Sequence, residues 1–230
     1  MKIPISNRLL ACASYVRQGS RVADIGTDHG YLGIYLLQKG IAAQVYASDL
    51  REQPLQNARE NAARFGMTER MTFCRADGLS GVAPEAVDTV VCAGMGADCI
   101  IGILRAAPWL CRGEHRLILQ PQSSGQDLRR FLAEQGFSIL RETLAEDSGF
   151  LYTVLEAQYT GCTEVPEAAS LYVSPQLLAD GSTLLPLYLE RLRRSMETTV
   201  AGLRRSEKRR ERLEYYKAAL RGIEEMERAL

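Results

Sequence analysis

A chain of 230 residues with 46% hydrophobic and 24% charged side chains can build one α/β domain with a full core and a small appendage, which excludes disordered and fibrous classes. Its 28 basic and 28 acidic residues cancel, which argues against a wholly basic nucleic-acid binder; residues 186–230 nevertheless carry 12 basic and 8 acidic side chains. No apolar run approaches the roughly 20 residues of a membrane span, and MKIPISNRLLACASYV lacks a signal-type core, so a cytoplasmic protein is expected.

From Ser20 to about Tyr159, short β-branched runs alternate with helical stretches. RVADIG, QVYASDL, MTFCRAD, AVDTVVCAGMG and HRLILQPQ are the strand candidates, the βαβ signature of a doubly wound, mostly parallel sheet. YLGIYLLQKG and QPLQNARENAARFG are expected as helices stopped at Gly40 and Gly66. SGQDLRRFLAEQGF repeats the pattern, with Ser123 or Ser124 as N-cap and Gly136 as stop. SILRETLAED and FLYTVLEAQY then form an antiparallel hairpin, and polar, aperiodic YTGCTEVPEAAS is the expected linker. Beyond Pro186 the spacing turns heptad-like, with Leu189, Leu192, Met196, Thr199 and Leu203 on one stripe and Leu213, Tyr216, Leu220 and Ile223 on another. An antiparallel coiled-coil hairpin turning near Ser206, or one continuous helix, satisfies this pattern. Six cysteines without a C-x-x-C pair, and only two histidines, predict reduced thiols, no disulfide framework and no metal site.

The first strand leads into VADIGTDHGYLG. In a dinucleotide-binding G-x-G-x-x-G turn, the second glycine lets backbone approach the pyrophosphate. Aligned on Gly26, that position is Asp28, whose carboxylate would repel phosphate. S-adenosylmethionine (SAM) carries a sulfonium cation and no phosphate, so Asp24 and Asp28 suit it on sign alone; one such pair near 4 Å is worth about 1 to 4 kcal/mol at effective dielectrics of 80 to 20. Gly26, Thr27 and Gly30 complete the turn. Asp49, followed by Leu50, ends the second strand where an acid would take the ribose hydroxyls; Asp77 and Gly78 follow the third, beside the adenine edge. Gly94, Met95 and Gly96 end the fourth, where a substrate would approach the methyl group. All four motifs fall at the carboxyl ends of strands, where open α/β sheets bind ligands.

SNRLLACASYV, ADIGTDHGYL, AGMGA, LILQPQ, EDSGFLYTVLEA and YVSPQLLADG together resemble the bacterial tRNA (adenine-22-N1)-methyltransferases over nearly the whole chain. Two positions depart from the family pattern: Gly33, usually proline, is expected to loosen the helix start, and Ala97, usually glycine, to add a methyl near the substrate mouth. The resemblance implies a Rossmann-like class I methyltransferase domain over residues 1–162, with a C-terminal antiparallel coiled-coil helical hairpin domain over 163–230. It further implies SAM as cofactor, tRNA as partner, no membrane or metal, and a monomer or weak homo-oligomer.

Adenine N1 has a free lone pair at neutral pH, so catalysis requires positioning and compensation of positive charge more than a strong base. Asp28, His29, Tyr31, Gln120 and Gln122 are the candidates for that work, although His29 also fits a helix-capping role and the glutamines a loop-stabilising one. Arg8 and the tail group Arg204, Arg205, Lys208, Arg209, Arg210 and Arg212 are the candidate RNA contacts; the tail group also fits a solvated turn. Two competing functions are a SAM-dependent methyltransferase of a small molecule and an inactive SAM-fold RNA-binding protein. The basic tail argues against the first, and intact Asp24, Asp49 and Gly94–Gly96 against the second.

Overall fold

The computed structural model describes residues 2–204 and 210–230. The β-branched runs form strands β1 (Ser20–Ile25), β2 (Ala42–Asp49), β3 (Met71–Arg75), β4 (Thr89–Met95), β5 (Arg116–Pro121), β6 (Phe137–Asp147) and β7 (Phe150–Tyr159). They make one sheet in the order β3-β2-β1-β4-β5-β7-β6. The first five are mutually parallel, and β7 runs antiparallel to both β5 and β6, so the expected terminal hairpin is present. The strand order reverses between β1 and β4, which opens a crevice at their carboxyl ends.

Both faces of the sheet are covered, as a parallel sheet requires. Successive residues of β1 divide between two cores: Val22 packs with Leu32, Ile34 and Cys12 on one face, whereas Ala23 and Ile25 pack with Ile100, Leu128 and Phe131 on the other. Helices α2 (Tyr31–Gln38), α3 (Glu52–Arg64) and α5 (Gly125–Glu134) match the expected stretches, and Gly40, Gly66 and Gly136 follow their ends. Two further helices, α1 (Asn7–Tyr15) and α4 (Ala97–Arg105), complete the layers. Ser124 does precede α5, but with a left-handed φ of 55° and no side-chain capping bond.

The two departures from the family pattern sit in packed surroundings, and Ala97 departs from expectation. Gly33 packs α2 tightly onto β2, since a Cβ there would lie 2.8 Å from Val45 Cγ1. Ala97 is fully buried in the core beneath α4, so its methyl group stays away from the substrate mouth.

After the aperiodic linker come α6 (Pro175–Ala179), α7 (Leu185–Leu203) and α8 (Arg210–Ala229). Leu189 and Met196 of α7 and Ala219 and Ile223 of α8 share a core with Tyr172, Leu177 and Leu144 of β6. Beneath it, buried Arg129 of α5 is paired with buried Glu142 of β6 and donates to the Leu171 carbonyl at 3.1 Å. Ser174, the N-cap of α6, donates to the same Glu142 carboxylate at 2.5 Å. A desolvated charge network thus joins the sheet to the C-terminal helices. The turn expected near Ser206, with Arg205, Lys208 and Arg209, lies outside the described residues.

Candidate active site

The β1–α2 turn is built by backbone bonding to the neighbouring strand. Gly26 and Thr27 both donate their amides to the Ser48 carbonyl, at 2.8 and 3.1 Å. Asp28 then takes a left-handed φ of 47°, a conformation aspartate tolerates better than most side chains and which a dinucleotide loop reserves for glycine. Buried Asn61 of α3 anchors the far side by donating to the His29 carbonyl at 3.0 Å, and Gly30 lies so close to Ala58 that a Cβ would be 3.0 Å from that methyl group.

A cavity of about 320 Å³ opens beside this turn at the β1/β4 crevice. Asp24, Gly26, Thr27, Asp28, His29 and Tyr31 line one side, and Arg8, Ser6 and Gly94 the other. Asp24 is buried, and burial pushes its carboxyl up to about 6, while the Thr27 hydroxyl, donating at 2.8 Å, pulls the other way and the nearby Asp49 charge adds to the rise. A buried carboxylate under this strain gains from any cation placed in the cavity. Asp28 is exposed; its Oδ2 stands 3.5 Å from His29 Nε2, and the His29 ring stacks on Tyr31 with centroids 5.5 Å apart.

The opposite wall is held by Gln120. Its Oε1 accepts from both the Gly94 amide and Arg8 Nη1 at 3.0 Å, and its Nε2 donates to the Pro121 carbonyl at 2.9 Å. This fully buried amide positions the wall, which fits the loop-stabilising alternative among the roles expected for it. Gly94, at φ 79°, bulges β4 where the register to β5 shifts; a Cβ there would meet Arg8 Nη1 at 2.7 Å. Arg8 also pairs with Asp147 at 3.5 Å, so it faces the cavity from a fixed mount and not as a loose surface contact. Gln122 is exposed beyond β5, its backbone N–H donating to the Met95 carbonyl at 2.9 Å.

The remaining expected residues flank the cavity. Asp49, at the end of β2, uses Oδ1 to accept from the Arg51 amide at 2.8 Å; among the described residues no group donates to its Oδ2. Leu50 beside it is 63% exposed. Asp77 is exposed two residues past β3, and Gly78 accepts the Ser48 hydroxyl at 3.1 Å. Met95 packs its Cε against Gly26, and Gly96 starts α4. The tail cations stand apart: Arg204 ends α7 and Arg210 and Arg212 begin α8. Sequence reasoning missed Ser6, Ser48, Asn61 and Asp147. Only Asn61 carried a signal, a polar side chain on the apolar face of α3.

Residues 5–155 match the family model described as a methyltransferase domain. The tRNA (adenine(22)-N(1))-methyltransferase of Bacillus subtilis is 31% identical over 157 residues, covering 68% of this chain and 66% of that enzyme. Sp1610 of Streptococcus pneumoniae, a candidate tRNA (m1A22) methyltransferase, superposes with a TM-score of 0.84 at 29% identity, covering 97% of this chain and 99% of that one. The chain belongs to the bacterial tRNA (adenine-22-N1)-methyltransferase family. The same pneumococcal protein has been solved with SAM bound, and that complex superposes with a TM-score of 0.82 over the same shares of both chains. Among the described residues no cluster of three or more metal-ligating side chains occurs, and no helix is long and apolar enough to cross a membrane.

Proposed function

We propose that this protein transfers a methyl group from SAM to N1 of adenine 22 in tRNA. The observation that carries the reading is a cavity at the strand switch point lined by a buried carboxylate and a second, exposed one in the place of the phosphate-binding glycine. The residues present fit the cofactor. Ser6 Oγ, on the cavity wall, is buried without a hydrogen-bond partner among the described residues, and Gly94 offers backbone where a side chain would clash with Arg8. Bound SAM supplies an electrophilic methyl group on a sulfonium.

The chain's own residues supply position and field. Asp49, through its unengaged oxygen, holds the ribose; Leu50, Asp77 and Gly78 flank the adenine, and Asp24, Gly26, Thr27 and Gly30 hold the methionyl end. Asp28 faces positive charge in the cavity with little shielding by other side chains. Tyr31 and His29 form a stacked wall against which the target base rests, and Gln122, exposed at the end of β5, is the amide free to meet its edge. N1 lies on the Watson–Crick edge, so the base must leave its pairing and stacking contacts, and phosphate contacts elsewhere must hold the tRNA. The fixed guanidinium of Arg8 and the cations at the junction of α7 and α8 fill that role in this reading. It treats residues 163–230 as a separate RNA-holding domain, with α7 and α8 as an antiparallel coiled-coil hairpin, and the protein as a cytoplasmic monomer or weak homo-oligomer.

Nucleoside mapping of tRNA incubated with protein and SAM tests the reaction: 1-methyladenine at position 22 is expected, and methylation of metabolites but not tRNA rejects it. Reversing charge at Arg204, Arg205, Arg209 and Arg210 tests the tail. SAM affinity should persist while tRNA affinity falls and its salt dependence flattens. An unchanged salt slope would make the tail a solvated turn.

A further inference from the structure

Phe150 and Tyr152 lie two residues apart on β7 and so project to the same face of the sheet, with ring centroids 6.4 Å apart. Phe150 is 64% exposed, one of few large hydrophobic side chains left in solvent among the described residues. It neighbours the cavity through one contact in between, because its partner across the hairpin is Asp147, which pairs with the cavity-lining Arg8. Asp147 holds the α1 end of the cavity wall, accepting from the Asn7 amide at 3.3 Å and pairing with Arg8. On the other side, Arg191 of α7 donates to the Gly149 carbonyl at 3.4 Å. An exposed ring backed by a half-buried one thus rides on a turn tethered from both flanks, close to a cavity whose wall carries a cation. Rigid aromatic faces next to fixed positive charge bind nucleobases by stacking, without regard to sequence.

We infer that Phe150, backed by Tyr152, is a stacking platform for an unpaired nucleobase of the substrate RNA next to the methylated adenine. The inference rests on the tRNA methylation proposed above. Stacking needs a π-face, which separates it from apolar cover. Steady-state methylation of tRNA should therefore show a KM for tRNA raised about 5-fold or more in both Phe150→Ala and Phe150→Leu, with Phe150→Tyr close to wild type. SAM affinity, measured calorimetrically, should be unchanged in all three, which also reports an intact fold. Phe150→Trp should give indole fluorescence quenched by a short single-stranded oligonucleotide. A wild-type KM in Phe150→Ala, or full rescue by leucine, overturns the platform alone. Wild-type protein that methylates no tRNA overturns the platform together with the reading on which it rests.

Discussion

The acidic crevice and the basic tail treat charge in opposite ways. In the crevice Asp24 and Asp49 are buried; among the described residues no basic side chain pairs with Asp24, and Asp49 has one distant arginine at 3.8 Å. In the tail three of the nine described cations of residues 186–230 pair with carboxylates: Arg193 with Glu197 and Glu227, Arg194 with Glu190, and Lys217 with Glu214. A few unpaired carboxylates in a low-dielectric wall act more strongly on a nearby charge than cations bathed in water do. Net charge by segment therefore understates the crevice.

The sharpest way to break this contrast is at the buried pair joining the two regions. Arg129→Leu leaves Glu142 buried without its partner, and a loss of about 3 to 5 kcal/mol in unfolding free energy is expected from denaturant titration. A loss below 1 kcal/mol would mean that water reaches Glu142. Next in size is Asp49→Ala, which removes the proposed ribose contacts at about 1.5 to 3 kcal/mol for each charge-assisted bond; unchanged SAM affinity by calorimetry would reject the assignment.

Asp24 gives a pH signature. Its folded carboxyl titrates near 6 against an ordinary value of 3.8, so between these values the native state holds the extra proton. Stability should fall as pH rises from about 4 through 6, by of order 1 to 3 kcal/mol, while affinity for the cationic cofactor should rise over the same window. Asp24→Asn should flatten both profiles in melting and titration experiments; persistence of the slopes would place the titrating group elsewhere. The smallest effect is expected at exposed Asp28, where Asp28→Asn should weaken SAM by less than about tenfold, weaken neutral S-adenosylhomocysteine less, and slow single-turnover methylation at saturating SAM. Equal weakening of both ligands with an unaltered chemical step would make Asp28 a turn residue only.

The strands, the terminal hairpin and the acidic turn were legible because each is written in local sequence: β-branched runs, glycine stops and carboxylates at strand ends. The role of Gln120 was not. Its position after β5 was visible, but its amide is engaged by Gly94 and by Arg8, 112 residues away, and no local pattern encodes that contact. The fixed mount of Arg8 was hidden for the same reason, since Asp147 and Gln120 reach it only through the fold. Ala97 was expected at the substrate mouth because it follows the Gly94–Gly96 motif, yet its side chain is buried in the core.

The tethering of the hairpin turn has a consequence for the order of assembly. Asn7 and Arg8 find their partners about 140 positions downstream at Glu146 and Asp147, and Arg191 closes on the same turn from the C-terminal side. Contacts of such sequence separation form late, after the entropy of closing long loops has been overcome. On a ribosome, the nascent chain holds the acidic turn early, but Arg8 in the opposite wall lacks its Asp147 anchor until β6 has emerged and β7 has inserted between it and β5. Tight cofactor binding then becomes an event of completed synthesis, so truncated chains ending before Asp147 should carry the nucleotide turn without a closed pocket around it.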